Sequence, residues 1–181
     1  MDNTEILELL RGMVKAPSYP GVPRQEEATA RALDAYLHAH GIPGELVEVR
    51  EGRPNLIATL EGRRPGPHLL LCGHMDTVPP NAGSSFDFFS AAVDSGRMSG
   101  RGTVDMKGAL AAMAGALVDI RESGGLAAGK ITLAAVIDEE MESLGAEALI
   151  KSGFKADGAV IGEPTENRVA IGHKGLEWLE V

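Results

Sequence analysis

Three apolar runs in this sequence each lead into side chains that can bind metal ions or move protons. The run HLLLC leads to His74 and Asp76, the run ITLAAVI leads to Asp138, Glu139 and Glu140, and the run AVI leads to Glu163. In open α/β sheets, ligands gather beyond the carboxyl ends of the strands, so polar groups placed there repeatedly indicate one shared site. The pattern predicts a hydrolytic metal centre at that edge.

A fourth acid, Asp105, lies in the glycine-rich turn GRGTVDMKG just ahead of a predicted helix. In such an exposed turn both of its carboxylate oxygens can hold cations, which makes Asp105 the candidate bridging ligand. A role as the cap of the following helix is compatible with metal binding.

His74 and Asp76 stand two residues apart at a strand exit, where residues i and i+2 share a face. An imidazole that binds metal through one nitrogen usually donates its other N–H to a carboxylate. We therefore expect Asp76 to orient His74 rather than to bind metal itself.

Glu139 and Glu140 are adjacent in the sequence, so we expect their side chains to diverge. One can then bind metal while the other faces the substrate as a general base. Taken alone, the two acids would be better explained as a solvated pair capping the next helix. A single His-x-Asp motif would likewise favour a structural histidine at His74, and it is the four motifs together that favour metal.

The charge of the predicted site supports the same interpretation. The predicted site gathers five carboxylates. Carboxylates packed together raise each other's pKa, and two divalent cations would offset most of their negative charge. Hard oxygen ligands with one imidazole suit zinc, cobalt or manganese, and geometry alone does not choose among them. The five carboxylates are those of Asp76, Asp105, Glu139, Glu140 and Glu163.

The elements that must position these residues alternate between helix and strand. Hydrophobic periodicity predicts an α/β fold in which the site residues follow buried strands. Predicted helices span Asn3 to Lys15, Arg24 to His40, 107–123 and Ser143 to Lys151, with Gly41 as a left-handed stop; predicted strands span Leu46 to Val49, Asn55 to Leu60, Leu69 to Cys72, Ile131 to Ile137, Ala159 to Ile161 and Val169 to Ile171.

Composition limits the classes of protein to which the chain can belong. Its 181 residues are 44% hydrophobic and 24% charged, as in one soluble globular domain. A formal net charge of -9 argues against nucleic acid or an anionic membrane as partner. No basic leader and no run of about 18 apolar residues is present, so we expect a cytoplasmic protein. The single cysteine, Cys72, is predicted to be a buried small hydrophobe.

The motifs HMDTVPP, GRGTVDMKG, DEEMESLGA and IGEPT, in this order, resemble those of metallopeptidase family 20. This family of co-catalytic metallohydrolases includes acetylornithine deacetylase, succinyl-diaminopimelate desuccinylase, aminoacylases and related carboxypeptidases. The resemblance covers nearly the whole chain. It implies a three-layer αβα zinc-exopeptidase-like catalytic domain with a mostly parallel mixed sheet, incomplete at the C-terminus.

The resemblance also implies two divalent metal ions, most simply zinc, with cobalt or manganese as alternatives. By that resemblance His74 and Glu163 would bind one metal. Asp105 would bridge the two ions, and Glu140 would bind the second.

The family's reaction implies roles for the two remaining acids. Glu139 would be the base that takes a proton from a water held between the metals, and it would then pass a proton to the departing nitrogen. Asp76 matches the acid that orients the histidine. The substrate would be a small N-acyl amino acid or a peptide, and the full-length form would be a homodimer.

Two departures from the family pattern stand out. Glu142 replaces a glycine that relatives often carry after the paired acids. Family members also continue with a lid and dimerisation domain and further catalytic chain, which carries the second metal's histidine and a lid histidine. The other histidines of this sequence do not match those positions; they are His38, His40, His68 and His173.

We therefore expect residues 1–172 to be the N-terminal part of a catalytic domain and residues 173–181 to begin the lid domain. A chain of this extent is expected to be inactive alone. Two other interpretations remain open. One is a leucine-type or glutamyl aminopeptidase, disfavoured because DMKG stands where those enzymes show paired acids. The other is a metal-binding but catalytically silent fragment or pseudoenzyme that acts through interactions.

Overall fold

In the computed structural model, residues 3–172 are described, and they form four helices and seven strands. The elements, in chain order, are α1 (Asn3–Lys15), α2 (Glu27–Ala39), β1 (Gly44–Arg50), β2 (Arg53–Glu61), β3 (His68–His74), β4 (Ala92–Asp94), β5 (Arg97–Ser99), α3 (Lys107–Glu122), β6 (Lys130–Val136), α4 (Leu144–Lys151) and β7 (Gly158–Ile161). None of the helices in this range combines the length and the apolar character needed to cross a membrane.

Five of the strands form one mixed sheet in the order β1-β2-β6-β3-β7. The pairs β1–β2 and β2–β6 are antiparallel, whereas β6–β3 and β3–β7 are parallel. Four strands therefore run in one direction and only β2 runs against them. The predicted mixed and mostly parallel sheet is confirmed. The neighbouring strands β6, β3 and β7 are parallel, so their carboxyl ends lie at the same edge of the sheet.

Helices α1, α2 and α3 cover one face of this sheet. Alternate residues of β2 and β6 point into that layer, among them Leu56, Ala58 and Leu133, all fully buried. Burial of such side chains contributes most of the favourable free energy of folding. This layer contains the main hydrophobic core.

Helix α4 lies on the opposite face. Its Leu149 packs with Cys72 of β3 and with Ala134 and Val136 of β6. Cys72 is a buried free thiol, as the sequence predicts. Helices on both faces of the sheet make the predicted three-layer αβα architecture.

The element boundaries differ from the sequence predictions in places. Helix α2 begins at Glu27 rather than Arg24, because Arg24 and Gln25 have positive φ angles and cannot belong to a right-handed helix. Gly41, with φ of 74°, follows the end of the helix as predicted. The β4–β5 hairpin was not predicted, since its two three-residue strands are too short and too exposed to show an apolar alternation.

The predicted strand from Val169 to Ile171 is wrong. These residues make no strand pairing among residues 3–172, and the side chains of Val169 and Ile171 are fully exposed. A three-residue apolar run is too weak a signal to distinguish a strand from an exposed loop. The predicted domain boundary and the predicted lid segment at 173–181 lie outside the described residues.

Replacing Gly145 with Ala is expected to destabilise the fold by about 1–3 kcal/mol, because the added methyl would overlap the backbone nitrogen and oxygen of Ile137. Gly12→Ala is the matched control. Nothing lies within 4 Å of the added methyl there, and alanine favours the helix by roughly 0.5–1 kcal/mol. Urea unfolding would measure both, and a Gly145→Ala protein as stable as the original would contradict the prediction.

Candidate metal centre

The predicted site residues meet at the carboxyl edge of the three parallel strands. His74 is the last residue of β3, Glu139 and Glu140 follow β6, and Glu163 follows β7. Asp105 approaches the same edge from the turn that precedes α3. The parallel register of β3 with β6 and β7 therefore explains why residues distant in the sequence converge.

His74 lies at the centre of this cluster and is only 1% exposed. Its Nε2 atom is 3.0 Å from an Asp105 carboxylate oxygen, 3.6 Å from Glu163 and 3.8 Å from Glu139. Its Nδ1 atom is 2.9 Å from the backbone oxygen of Asp76 and 3.4 Å from the Asp76 carboxylate. One ring nitrogen thus faces the acids while the other is held by Asp76.

The side chains form two overlapping groups suited to metal ions. His74, Asp105 and Glu163 offer ligand atoms within 4.8 Å of one another, and His74, Glu139 and Glu140 do the same. Ligand atoms around one tetrahedral zinc ion at about 2.0–2.2 Å lie roughly 3.3–3.6 Å apart. The distances from His74 Nε2 to Asp105 and Glu163 are close to that spacing, so the residues present fit a divalent cation.

The electrostatics of the cluster favour added positive charge. Burial disfavours the charged form of His74, but hydrogen bonds with Asp105 and Asp76 outweigh that effect and raise the pKa of His74 to about 11. Burial also raises the pKa of Glu140, and the neighbouring Asp105 carboxylate adds to the effect. Burial is likewise the largest cause of the raised pKa of Glu163, which His74 offsets in part. A bound cation would relieve this repulsion between carboxylates.

Asp76 connects the end of β3 to the residues that follow β6. Its two carboxylate oxygens accept hydrogen bonds from the backbone N–H groups of Glu139, at 3.1 Å, and Glu140, at 3.0 Å. Burial alone would raise the pKa of Asp76, but the hydrogen bonds with His74 and these amides hold it below its usual value. The predicted orienting role towards His74 stays a prediction, and the two amide contacts are an addition that the sequence did not reveal.

The side chains of Glu139 and Glu140 do not diverge as expected. Both place a carboxylate oxygen within the group centred on His74. Adjacent residues can face the same way here because they lie in a loop rather than in the strand. The division of roles, with Glu140 as ligand and Glu139 as base, stays a prediction.

A buried ionic network next to the site was missed by the sequence analysis. It holds Asp138, which lies outside both ligand groups found among residues 3–172. The guanidinium of Arg53 contacts the carboxylates of Glu26 and Asp138, and all three side chains are buried. The available signal was a charged residue and an asparagine, Asn55, at the start of the otherwise apolar strand β2. Buried charges of this kind require partners, but the sequence does not say which.

Lys107 is a further buried charged residue whose partners the sequence analysis did not predict. Its side chain is 1% exposed, and its Nζ atom donates to the backbone oxygens of Met13 at 2.9 Å and Ala16 at 2.8 Å. Burial lowers the pKa of Lys107 to about 7. The two hydrogen bonds of Lys107 connect the start of α3, next to Asp105, to the end of α1.

The remaining described histidines lie away from the cluster. His40 contacts Glu122 on the helical layer, and His68 contacts Thr132 at the amino end of β3. Neither His68 nor the α2 residue His38 belongs to the metal-binding groups found among residues 3–172. His173 lies outside the described residues.

Comparison of sequences gives relatives of the expected kind. A probable succinyl-diaminopimelate desuccinylase of Staphylococcus epidermidis is 38% identical over 147 residues, which are 79% of this chain and 36% of that protein. The chain thus spans about a third of the length of this curated relative.

Comparison of structures agrees with the sequences. An M20 family metallo-carboxypeptidase from Sulfolobus solfataricus superposes with a TM-score of 0.71 at 25% identity, over 90% of this chain and 37% of that one. The YXEP protein of Bacillus subtilis, described as a dinuclear metal binding peptidase of the M20 family, has the same fold, with a TM-score of 0.61 at 21% identity over 83% of this chain and 39% of that one. The predicted αβα fold is therefore confirmed.

The family profile described as Peptidase family M20/M25/M40 matches residues 70–176. The match includes all the site residues predicted from the sequence, from His74 to Glu163. It covers more than half of the 181 residues. The chain belongs to peptidase family M20/M25/M40.

Proposed function

We propose that this chain carries the metal-binding half of a site that hydrolyses the amide bond of a small N-acyl amino acid or peptide. The observation that supports this most directly is the pair of overlapping ligand groups that share His74. One group contains Asp105 and Glu163, and the other contains Glu139 and Glu140. The oxygen and nitrogen donors suit divalent ions, zinc or alternatively cobalt or manganese, and His74 Nε2 would bind one of the two ions.

In this proposal the ligands are His74, Asp105, Glu140 and Glu163, with Asp105 placed to serve both ions. When bound, the ions would supply Lewis-acid activation of the amide carbonyl and of water. The candidate bridging role of Asp105 comes from the sequence. Its exposed carboxylate lies 3.0 Å from His74 Nε2 in the group with Glu163, and burial together with the charge of Asp105 raises the pKa of Glu140 in the other group.

The proton transfers are assigned to Glu139. Its side chain is 46% exposed, so the carboxylate can reach both solvent and the group centred on His74. A carboxylate in that position can accept a proton from the attacking water and return one to the departing nitrogen. Asp76 would hold His74 and the backbone of Glu139 in place for this step.

The names of the relatives support the class of substrate. The Staphylococcus epidermidis relative is named as a probable desuccinylase and the Sulfolobus solfataricus neighbour as a metallo-carboxypeptidase. Both names describe cleavage of an amide bond next to an amino acid. The proposal can be tested in a full-length protein that contains these residues. We expect that protein to hydrolyse an N-succinyl or N-acetyl amino acid, to lose this activity with a chelator, and to regain it with Zn²⁺.

A catalytically silent role for the chain alone is the second candidate. Within residues 3–172, the two ligand groups share a single imidazole, that of His74. A site with so few nitrogen ligands would hold its second ion weakly. This observation favours metal binding without turnover by the 181-residue chain.

The purified 181-residue chain loaded with Zn²⁺ is accordingly expected to show no turnover of N-acetyl or N-succinyl amino acids or of dipeptides. The physical reason is incomplete coordination of the second ion, which leaves water poorly activated. A sensitive amine-release assay would measure this. Turnover that disappears with a chelator and in Glu139→Gln would contradict this prediction while supporting the proposed hydrolase function.

A further inference from the structure

We propose that Arg53 and Asn55 are positioning residues that hold the loop carrying Glu139 and Glu140 in its working position. We call residues 137–145 the acid loop. The inference rests on the proposed function, because it concerns the metal site formed with Glu140. Neither side chain contacts the acids themselves, and both act through the ends of the loop.

The acid loop is closed on itself by backbone hydrogen bonds. The N–H of Gly145 donates to the oxygen of Ile137 at 3.1 Å, and the N–H of Ser143 donates to the oxygen of Asp138 at 2.6 Å. Asp138 and Ser143 both have positive φ angles, which turn the chain sharply at each side of the paired acids. The loop is therefore a compact unit whose position depends on what holds its two ends.

Asn55 holds both ends at once. Its Oδ1 atom accepts a hydrogen bond from the N–H of Ile137 at 3.0 Å, and its Nδ2 atom donates to the oxygen of Gly145 at 2.8 Å. The side chain is 2% exposed, so water does not compete for these bonds. A single side-chain amide thus connects the residue after β6 to the first turn of α4.

Arg53 holds the first turn of the loop. Its Nε and Nη2 atoms donate to the two carboxylate oxygens of Glu26 at 2.8 and 2.6 Å, and Nη2 also donates to Asp138 at 2.7 Å. The other oxygen of Asp138 accepts the N–H of Glu142 at 3.2 Å. The planar guanidinium can serve two carboxylates in fixed directions, which a lysine ammonium cannot do.

The strand ladder cannot replace these contacts. Backbone pairing between β2 and β6 ends at Leu56 and Ala135, before the loop begins. Beyond that pair, the side chains of Asn55 and Arg53 continue the connection from β2 to Ile137 and Asp138. On the opposite side, the Asp76 carboxylate holds the amides of Glu139 and Glu140. The paired acids are therefore held from two sides, by Asp76 just after β3 and by Arg53 and Asn55 of β2.

The test measures Co²⁺ binding to the 181-residue chain by absorption titration, together with thermal unfolding by circular dichroism. The signal that is lost in Glu140→Gln identifies the ion bound by Glu140. Arg53→Lys keeps the positive charge but removes the planar guanidinium that serves two carboxylates. Asn55→Leu removes both hydrogen bonds of the Asn55 side chain at similar side-chain volume. We expect each to weaken Co²⁺ at the Glu140 position by about 10- to 100-fold, as for other residues that hold metal ligands in place. Binding at the position of Asp105 and Glu163 should persist.

Leu37→Ala separates positioning from general stability. It creates a cavity in the fully buried core under α2 and is expected to lower the unfolding temperature. Since this apolar side chain shares no polar partner with the acid loop, Co²⁺ affinity should stay within about twofold of that of the unmodified chain. Glu26→Gln is a graded variant, because it weakens the contact that orients the Arg53 guanidinium. It is expected to lower Co²⁺ affinity at the Glu140 position, but by less than Arg53→Lys.

The outcomes are distinguishable. Unchanged Co²⁺ affinity in folded Arg53→Lys and Asn55→Leu would overturn the positioning role and leave the proposed function standing. Equal loss of affinity in Leu37→Ala, or loss of the fold in both test variants, would also overturn it, since the contacts would then serve the fold. An unmodified chain that binds no Co²⁺ would overturn the proposed function and this inference together, and one that binds Co²⁺ with no signal dependent on Glu140 would overturn this inference alone.

Discussion

Glu139→Gln is expected to lower amide hydrolysis by about 100-fold or more in a full-length protein that contains these residues, as loss of a general base implies. Metal content and folding should stay unchanged. The amide of glutamine has nearly the volume of the carboxylate but cannot accept a proton at neutral pH. The backbone of residue 139 would still be held by Asp76, because that contact uses the main-chain N–H.

Glu140→Gln is expected to behave differently, with loss of metal as the primary effect. A neutral amide is a weaker ligand than a carboxylate for a hard divalent ion. Glu142→Gln is the matched control, since Glu142 is an exposed acid of the same loop and lies outside both ligand groups. Steady-state hydrolysis with metal analysis of each protein would measure these effects. If Glu139→Gln lost metal and Glu140→Gln kept it, the assignment of the two roles would be reversed.

Most of the candidate site residues could be predicted from the sequence because they end or closely follow a short apolar strand, whereas Asp105 was recognised from its glycine-rich turn. The parallel neighbours β6, β3 and β7 bring their carboxyl ends together, so local patterns were sufficient to gather His74, Glu139 and Glu163 at one edge. This inference needs only the direction of the strands and not their order. It explains why the fold class and the cluster were predicted together.

The supporting contacts could not be predicted in the same way. Arg53 pairs with Glu26 and Asp138, which are 27 and 85 residues away along the chain. No periodicity relates such residues, and which buried acid meets which buried base depends on the order of the strands in the sheet. The same limitation applies to Lys107, whose amine meets the end of α1 more than 90 residues earlier.

The orientation of the adjacent acids Glu139 and Glu140 could also not be predicted from the sequence. Alternation of side chains applies within a strand, but Glu139 and Glu140 lie in a loop whose left-handed residues, Asp138 and Ser143, turn both acids towards His74. Non-glycine residues in that conformation are uncommon and are set by their contacts. Here those contacts come from Asp76, Arg53 and the loop itself.

Asp105→Asn is expected to reduce bound metal more than Asp76→Asn. Asp105 offers an exposed carboxylate 3.0 Å from His74 Nε2, and in its proposed bridging role it would serve both ions. Asp76 is almost fully buried, and its oxygens are occupied by the amides of Glu139 and Glu140. An asparagine at position 76 could keep one of those hydrogen bonds, so the loss there should be indirect and of the order of 10- to 100-fold in affinity.

Zinc content after equilibrium dialysis of the 181-residue chain would measure this difference, with circular dichroism as the check on folding. Asp94→Asn is the control, because Asp94 is an exposed acid of the β4–β5 hairpin outside both ligand groups. A greater loss of zinc in Asp76→Asn than in Asp105→Asn would show that fixing the acid loop matters more than bridging the ions. Absence of bound zinc, cobalt and manganese in the unmodified chain under every loading condition would remove the basis for both roles. Metal held by the clustered carboxylates is therefore the property on which the remaining assignments depend.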